Sequence, residues 1–118
     1  MPRKVLVVDD DPDFRGLAAR IVGARDGTEV SQAGTVACAI DVARQVRPDA
    51  ALVDVGLPDG DGVELARELS ALPWELHIVL TSSDPDAVGP EAVRECGAAA
   101  FVPKDELSDA PLLCLLGG

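Results

Sequence analysis

The apolar residues of this chain fall into two kinds of segment, short continuous runs and longer stretches with helical spacing. Lys4–Val8 (KVLVV) is a continuous run, the pattern of a strand buried on both faces of a parallel sheet. Asp9-Asp10-Asp11 closes it, and Pro12 opens a helix for which Asp11 is the N-cap. Phe14, Leu17, Ala18, Ile21 and Val22 form its inward stripe, with Arg15 and Arg20 off it. Glu29–Gln32 is a weaker strand. Thr35 caps a second helix, carried by Val36, Ala39, Ile40, Ala43 and Val46 and stopped by Pro48. Ala50–Val55 is the central strand. Asp61 opens a third helix with capping-box spacing to Glu64, buries Leu65, Ala66, Leu69 and Leu72, and ends at Pro73-Trp74. His77–Thr81 is a fourth strand, Pro90 starts a short helix closed by Gly97, and Ala98–Pro103 is a fifth strand. Asp109–Leu116 reads as a last short helix capped by Ser108. Strands alternating with helices predict an α/β fold, a doubly wound five-stranded parallel sheet flanked by five helices.

One polar residue breaks the central strand, Asp54. The residues after it, Leu57-Pro58-Asp59-Gly60-Asp61-Gly62, are turn formers that cannot prolong a strand. Asp54 therefore stands at the carboxyl end of a strand, where open α/β sheets bind their ligands. A carboxylate there is costly unless a cation or hydrogen bonds compensate it.

Composition narrows the classes. At 118 residues the expectation is one domain over 1–118, with no output domain attached. A formal net charge of −11 argues against direct contact with nucleic acid, which needs clustered Lys and Arg. Cys38, Cys96 and Cys114 are odd in number and widely spaced, which fits free thiols in a reducing compartment. No signal-peptide pattern follows Met1, and no apolar run approaches the roughly 20 residues of a membrane span, so a cytoplasmic location and no membrane contact are expected.

In a parallel sheet the strand ends share one edge. Asp9 and Asp10 leave the first strand, Asp54 the third, Thr81 the fourth and Lys104 the fifth, so carboxylates, a hydroxyl and an ammonium should converge. Hard oxygen ligands select Mg²⁺, with Mn²⁺ able to substitute. Asp10 and Asp54 would be direct ligands with the Gly56 carbonyl, and Asp9 would hold a metal-bound water. An Asp oxygen beside such a cation can attack a phosphoryl group while Lys104 and Thr81 stabilise the transferred oxygens. No Ser/His/Asp set, Walker A loop or GxGxxG loop is present, and His77 is the only histidine.

VLVVDDDPDF, DVGLPDGDG, VLTSSD and AAAFVPK, in that order, resemble the successive signatures of a response-regulator receiver domain of the single-domain, chemotaxis-regulator-like kind. The resemblance covers nearly the whole chain. It implies a flavodoxin-like receiver fold with strand order 2-1-3-4-5. It also implies that Asp54 is the phosphoacceptor, Asp9 and Asp10 the acidic metal pair, Lys104 the phosphate-pairing lysine, Thr81 the switch hydroxyl and Phe101 the aromatic that follows it. The implied donor is a phosphohistidine on a sensor histidine kinase or histidine phosphotransfer protein. Signalling would then run through phosphorylation-dependent protein–protein contacts, without catalysis beyond the domain's own phosphorylation and dephosphorylation.

Departures from the pattern lie around the lysine, where Pro103 precedes Lys104 and Asp105 follows it, and at the small residues Gly56 and Ser83. The run Leu112–Leu116 exceeds what one helix face buries, which leaves open a homodimer through the fourth- and fifth-helix face or an unknown downstream protein target. Two other readings stay open. One is a phosphorylation-independent interaction module on the same fold. The other is a Mg-dependent aspartyl phosphatase, suggested by the DxD spacing of Asp9 and Asp11 but set against by Asp13 where that class expects Thr or Val.

Overall fold

A computed structural model describes residues 3–24 and 27–106. The elements run β1 (Arg3–Val8), α1 (Pro12–Gly23), β2 (Thr28–Ala33), α2 (Val36–Val46), β3 (Ala50–Asp54), β4 (Gly56–Leu57), β5 (Gly60–Asp61), α3 (Gly62–Ser70), β6 (His77–Ser82), α4 (Pro90–Glu95) and β7 (Ala100–Pro103), followed by a 3-10 turn at Lys104–Glu106. The main sheet is parallel, in the order β2-β1-β3-β6-β7. This is the expected 2-1-3-4-5 arrangement once the two-residue strands β4 and β5, which pair only with each other, are set aside.

The continuous apolar runs are buried from both sides, as period-2 alternation requires. Leu6, Val8, Ala51, Val53, Ile78 and Leu80 face one layer with Ala39, Ala43, Leu65 and Leu69. Val5, Val7, Ala50, Leu52 and Val79 face the other with Ala18 and Val22 of α1. Leu6, Leu52, Ile78 and Leu80 are at most 1% exposed. Each such side chain contributes about 1.5–3 kcal/mol of transfer free energy, so the centre of the sheet fixes its register.

Three helix starts follow the sequence reading. Asp11 accepts from the Asp13 amide at 3.0 Å, Thr35 from the Cys38 amide at 3.1 Å and Asp61 from the Val63 amide at 2.7 Å. The capping box at α3 is only half formed, because the Glu64 carboxylate pairs with Arg67 along the helix. That helix ends at Ser70 and not at Pro73-Trp74. The Ser70 hydroxyl donates to the Arg67 carbonyl at 2.9 Å and lies 3.2 Å from the Cys96 carbonyl, drawing the last turn toward α4. Close approach there needs Gly97, whose φ is +84° and whose absent Cβ would lie 2.6 Å from that of Ser70.

Trp74 becomes a staple at the amino edge of the sheet. Its indole N–H donates to the Pro48 carbonyl at 3.0 Å, and the Arg47 guanidinium lies 4.9 Å from its ring centroid. Cys96 is buried, as a small hydrophobe should be, but Cys38 is exposed on α2. The expected helix at Asp109–Leu116, the Leu112–Leu116 run and Cys114 lie outside the described residues.

Candidate functional site

Each strand end delivers one group to the carboxyl edge. The Asp9 amide extends the β1–β2 ladder by donating to the Ala33 carbonyl at 3.0 Å, so Asp9 keeps strand-like placement one residue past β1. Its side chain is fully buried, and Oδ1 accepts from the Asp11 amide at 2.9 Å. Asp54 and Thr81 are register partners on β3 and β6. Ser82 pairs with Pro103 on β7, which sets Lys104 immediately beyond the same edge.

Carboxylate oxygens of Asp9, Asp10 and Asp54 lie within 4.8 Å of one another, with Asp9 and Asp54 buried and Asp10 exposed. Lys104 Nζ contacts two of them, 2.8 Å from Asp9 Oδ2 and 3.4 Å from Asp54 Oδ2. The contact with Asp9 is an ion pair by distance, yet its approach is off line and leaves Oδ2 without an aligned hydrogen bond among the described residues. At 2.8 Å the two charges attract strongly whatever the bond angle. Thr81 Oγ1 is also buried without a hydrogen-bond partner among the described residues. Underused polar atoms in a buried acidic cluster are what a ligand-binding set requires.

The electrostatics agree. Burial, reinforced by the negative charge of Asp9, raises the Asp54 carboxyl above the usual range, although Lys104 and the Gly56 amide act the other way. Burial by itself would depress Lys104. The close contact with Asp9 and the charges of Asp54 and Asp9 outweigh it and hold the ammonium above its ordinary value. Lys104 thus partly neutralises a cluster still in excess negative charge. The hard-oxygen donor set, with those spare lone pairs, fits a divalent cation such as Mg²⁺.

The structure thus brings together Asp9, Asp10, Asp54, Thr81 and Lys104. Gly56 adjoins the cluster through its amide, 3.4 Å from Asp54 Oδ1. Phe101 is set apart. It is half-buried on β7, beside a groove lined by Val88, Pro90, Val93, Arg94 and Ala99. His77 stands at the start of β6, at the opposite edge, with Arg3, Asp49 and Glu75.

Three contributors were not legible in the sequence. Arg15 donates through Nη1 to the Asp9 carbonyl at 2.8 Å and through Nε to Gln32 at 3.2 Å, although its position off the apolar stripe marks only a solvent-side charge. Phe14 reads as plain core, yet its ring centroid is 4.3 Å from Lys104 Nζ. Asp59 reads as a turn residue. Instead it accepts from the Val36 and Ala37 amides at 2.7 and 3.2 Å, a remote cap that ties the β4–β5 hairpin to α2.

Comparison with known proteins places this arrangement, a doubly wound sheet with an acidic cluster and a lysine at its carboxyl edge, in a signalling family. Residues 5–113 match the response regulator receiver domain, and the chain belongs to that family. It is 39% identical over 104 residues to the DNA-binding transcriptional activator DevR/DosR of Mycobacterium tuberculosis, covering 86% of this chain and 48% of that protein. The BeF3-activated N-terminal receiver domain of Klebsiella pneumoniae RstA superposes with a TM-score of 0.79 at 30% identity, over 96% of this chain and 92% of that one. A response regulator from Burkholderia pseudomallei, solved with a phosphorylated aspartic acid, a calcium ion and citrate, superposes with a TM-score of 0.85 at 25% identity, over 96% of this chain and 66% of that one. The chain spans about half the length of the curated relatives it matches. Among the described residues no helix is long and apolar enough to cross a membrane.

Proposed function

We propose that Asp54 accepts a phosphoryl group from a phosphohistidine of a sensor histidine kinase or phosphotransfer protein, and that the domain signals through protein contacts that depend on this modification. One observation carries the reading: three carboxylates at the ends of β1 and β3 meet within 4.8 Å, with the Lys104 ammonium against two of them, Asp9 and Asp54. Asp10, Asp54 and the Gly56 carbonyl would hold Mg²⁺, with Asp9 orienting a bound water. The cation, when bound, neutralises charge on the carboxylates and on the phosphoryl oxygens.

In the transfer, an Asp54 oxygen forms a bond to phosphorus as the donor's P–N bond breaks. The electron pair of that bond leaves on the imidazole nitrogen, which takes up a proton. Lys104, 3.4 Å from Asp54 Oδ2, is placed to pair with a transferred oxygen. Thr81, the register partner of Asp54, has an uncommitted hydroxyl that can donate to another. Moving that hydroxyl toward the phosphoryl group would shift β6 relative to β7 and repack Phe101 and its groove, biasing an existing two-state equilibrium. Hydrolysis returns the carboxylate and inorganic phosphate.

We further propose that this domain itself touches neither nucleic acid nor membrane, and that it works in the cytoplasm. The supporting feature is the net charge of −11. The DNA binding named for DevR/DosR belongs to that whole protein. The function is tested by incubating the protein with Mg²⁺ and a small phosphodonor and measuring intact mass. One phosphoryl is expected on the native chain and none on Asp54→Asn. Labelling of both, or multiple turnover of a phosphomonoester, would contradict it.

A further inference from the structure

Lysine is a poor fixed point. Its ammonium rides on a four-carbon stem, and its three donors rotate freely, so a carboxylate contact alone does not define where it sits. In this chain Lys104 begins a 3-10 turn between Pro103 and Asp105. Two of its partners, Asp9 and Asp54, are the groups whose charge is compensated when the site is occupied. The third is of another kind. Phe14, from the first turn of α1, lies with its ring centroid 4.3 Å from Nζ, well inside cation–π range. The ring is half-buried and packs against the apolar layer under α1, so it cannot swing away freely.

We propose that Phe14 is a positioning residue for Lys104, its ring face holding the ammonium at the phosphoryl site independently of the charge state of the carboxylates. This rests on the phosphoacceptor reading of Asp54. The reacting bonds are unchanged by Phe14. With acetyl phosphate as donor, the Asp54 oxygen bonds to phosphorus, the P–O bond to the acetyl group breaks, and acetate leaves with the electron pair. Phe14 sets only how often Lys104 is in place when this happens. An ammonium held before the reaction carries no ordering cost at the moment of transfer.

The test varies ring electrostatics at nearly constant shape. Position 14 would carry phenylalanine, 3,5-difluorophenylalanine or pentafluorophenylalanine, with Phe14→Leu beside them. Unfolding midpoints identify any variant that loses packing. With acetyl phosphate and Mg²⁺, the phosphorylation rate is expected to fall stepwise with fluorination and about fivefold in Phe14→Leu, the scale of a partly desolvated cation–π contact. A second readout is independent of activity. Without metal or donor, the Lys104 ε-methylene protons should be shifted upfield by the Phe14 ring current, and this shift should vanish in Phe14→Leu. Equal rates across the fluorinated series at equal stability, or identical Lys104 proton shifts with and without the ring, would overturn the proposal. A native chain that takes up no phosphoryl would instead overturn the phosphoacceptor reading, while the proton shift would still report on the contact.

Discussion

Gly62, at the start of α3, packs directly against the Asp54 backbone: a Cβ built on it would lie 2.1 Å from the Asp54 carbonyl oxygen and 2.7 Å from Val55 Cα. The Gly62 amide also donates to the Val55 carbonyl at 2.7 Å. The helix therefore begins within contact distance of the strand end that carries the central carboxylate. The requirement comes from this close approach, not from an unusual backbone conformation.

Gly62→Ala cannot be absorbed by a side chain, because the clash is with backbone. It is expected to cost about 1–3 kcal/mol or more, the range for overpacking that forces the backbone to shift. Urea unfolding measures this, and a loss within about 0.5 kcal/mol of neutral would contradict the packing described.

Lys104 is the resident counter-ion of buried Asp9 and Asp54. Lys104→Met should destabilise the metal-free protein by about 2–3 kcal/mol, somewhat below the cost of breaking a fully buried pair because the lysine is 20% exposed. Mg²⁺ at a hundred times its dissociation constant should stabilise the native protein by about 2.7 kcal/mol through mass action. The penalty of Lys104→Met should shrink once Mg²⁺ is bound. Thermal melts with and without the cation check both expectations, and identical penalties would separate the lysine from the metal site.

Much of this was legible beforehand, and the reasons are local. Lys4–Val8 and Ala50–Asp54 announce buried parallel strands because nothing polar interrupts them before the edge, and placing Asp9, Asp54, Thr81 and Lys104 together required only that topology. The contacts that the spacing leaves unmarked depend on side-chain direction at long range. Nothing in the spacing of Phe14 or Arg15 shows that one reaches Lys104 and the other the Asp9 carbonyl. Asp59 lies 23 residues from Val36 in sequence, so its cap on α2 exists only after the hairpin folds back.

That cap should carry a pH signature. Hydrogen bonds from the Val36 amide, with that from Ala37, hold the exposed Asp59 carboxyl below its ordinary value. A depressed acid contributes stability above its unfolded pKa of about 3.9 and loses it as pH falls through the lower folded value. Asp59→Asn should therefore unfold more easily than the native protein at neutral pH, with the two curves converging below about pH 4. A constant gap across the acid range would mean that the charge has no part in the cap.

Gly56 meets open space, since a Cβ there would touch nothing within 4 Å. Gly56→Asn and the exposed Ser83→Glu should fold normally and change the lifetime of the phosphorylated form, because each adds a polar side chain just beyond the ends of β3 and β6, the strands that carry Asp54 and Thr81. Following phosphate release after donor removal measures this, and unchanged lifetimes in both variants would remove the idea that the small residues at these positions set how water reaches the site.

On the reading proposed above, one carboxylate, Asp54, becomes the acyl phosphate. Borohydride reduction after phosphodonor treatment converts an aspartyl phosphate to homoserine, and peptide mapping then locates it. Homoserine is expected at position 54 alone, dependent on both donor and Mg²⁺. Homoserine at Asp9 or Asp10, or none anywhere in a folded, metal-loaded protein, would contradict it.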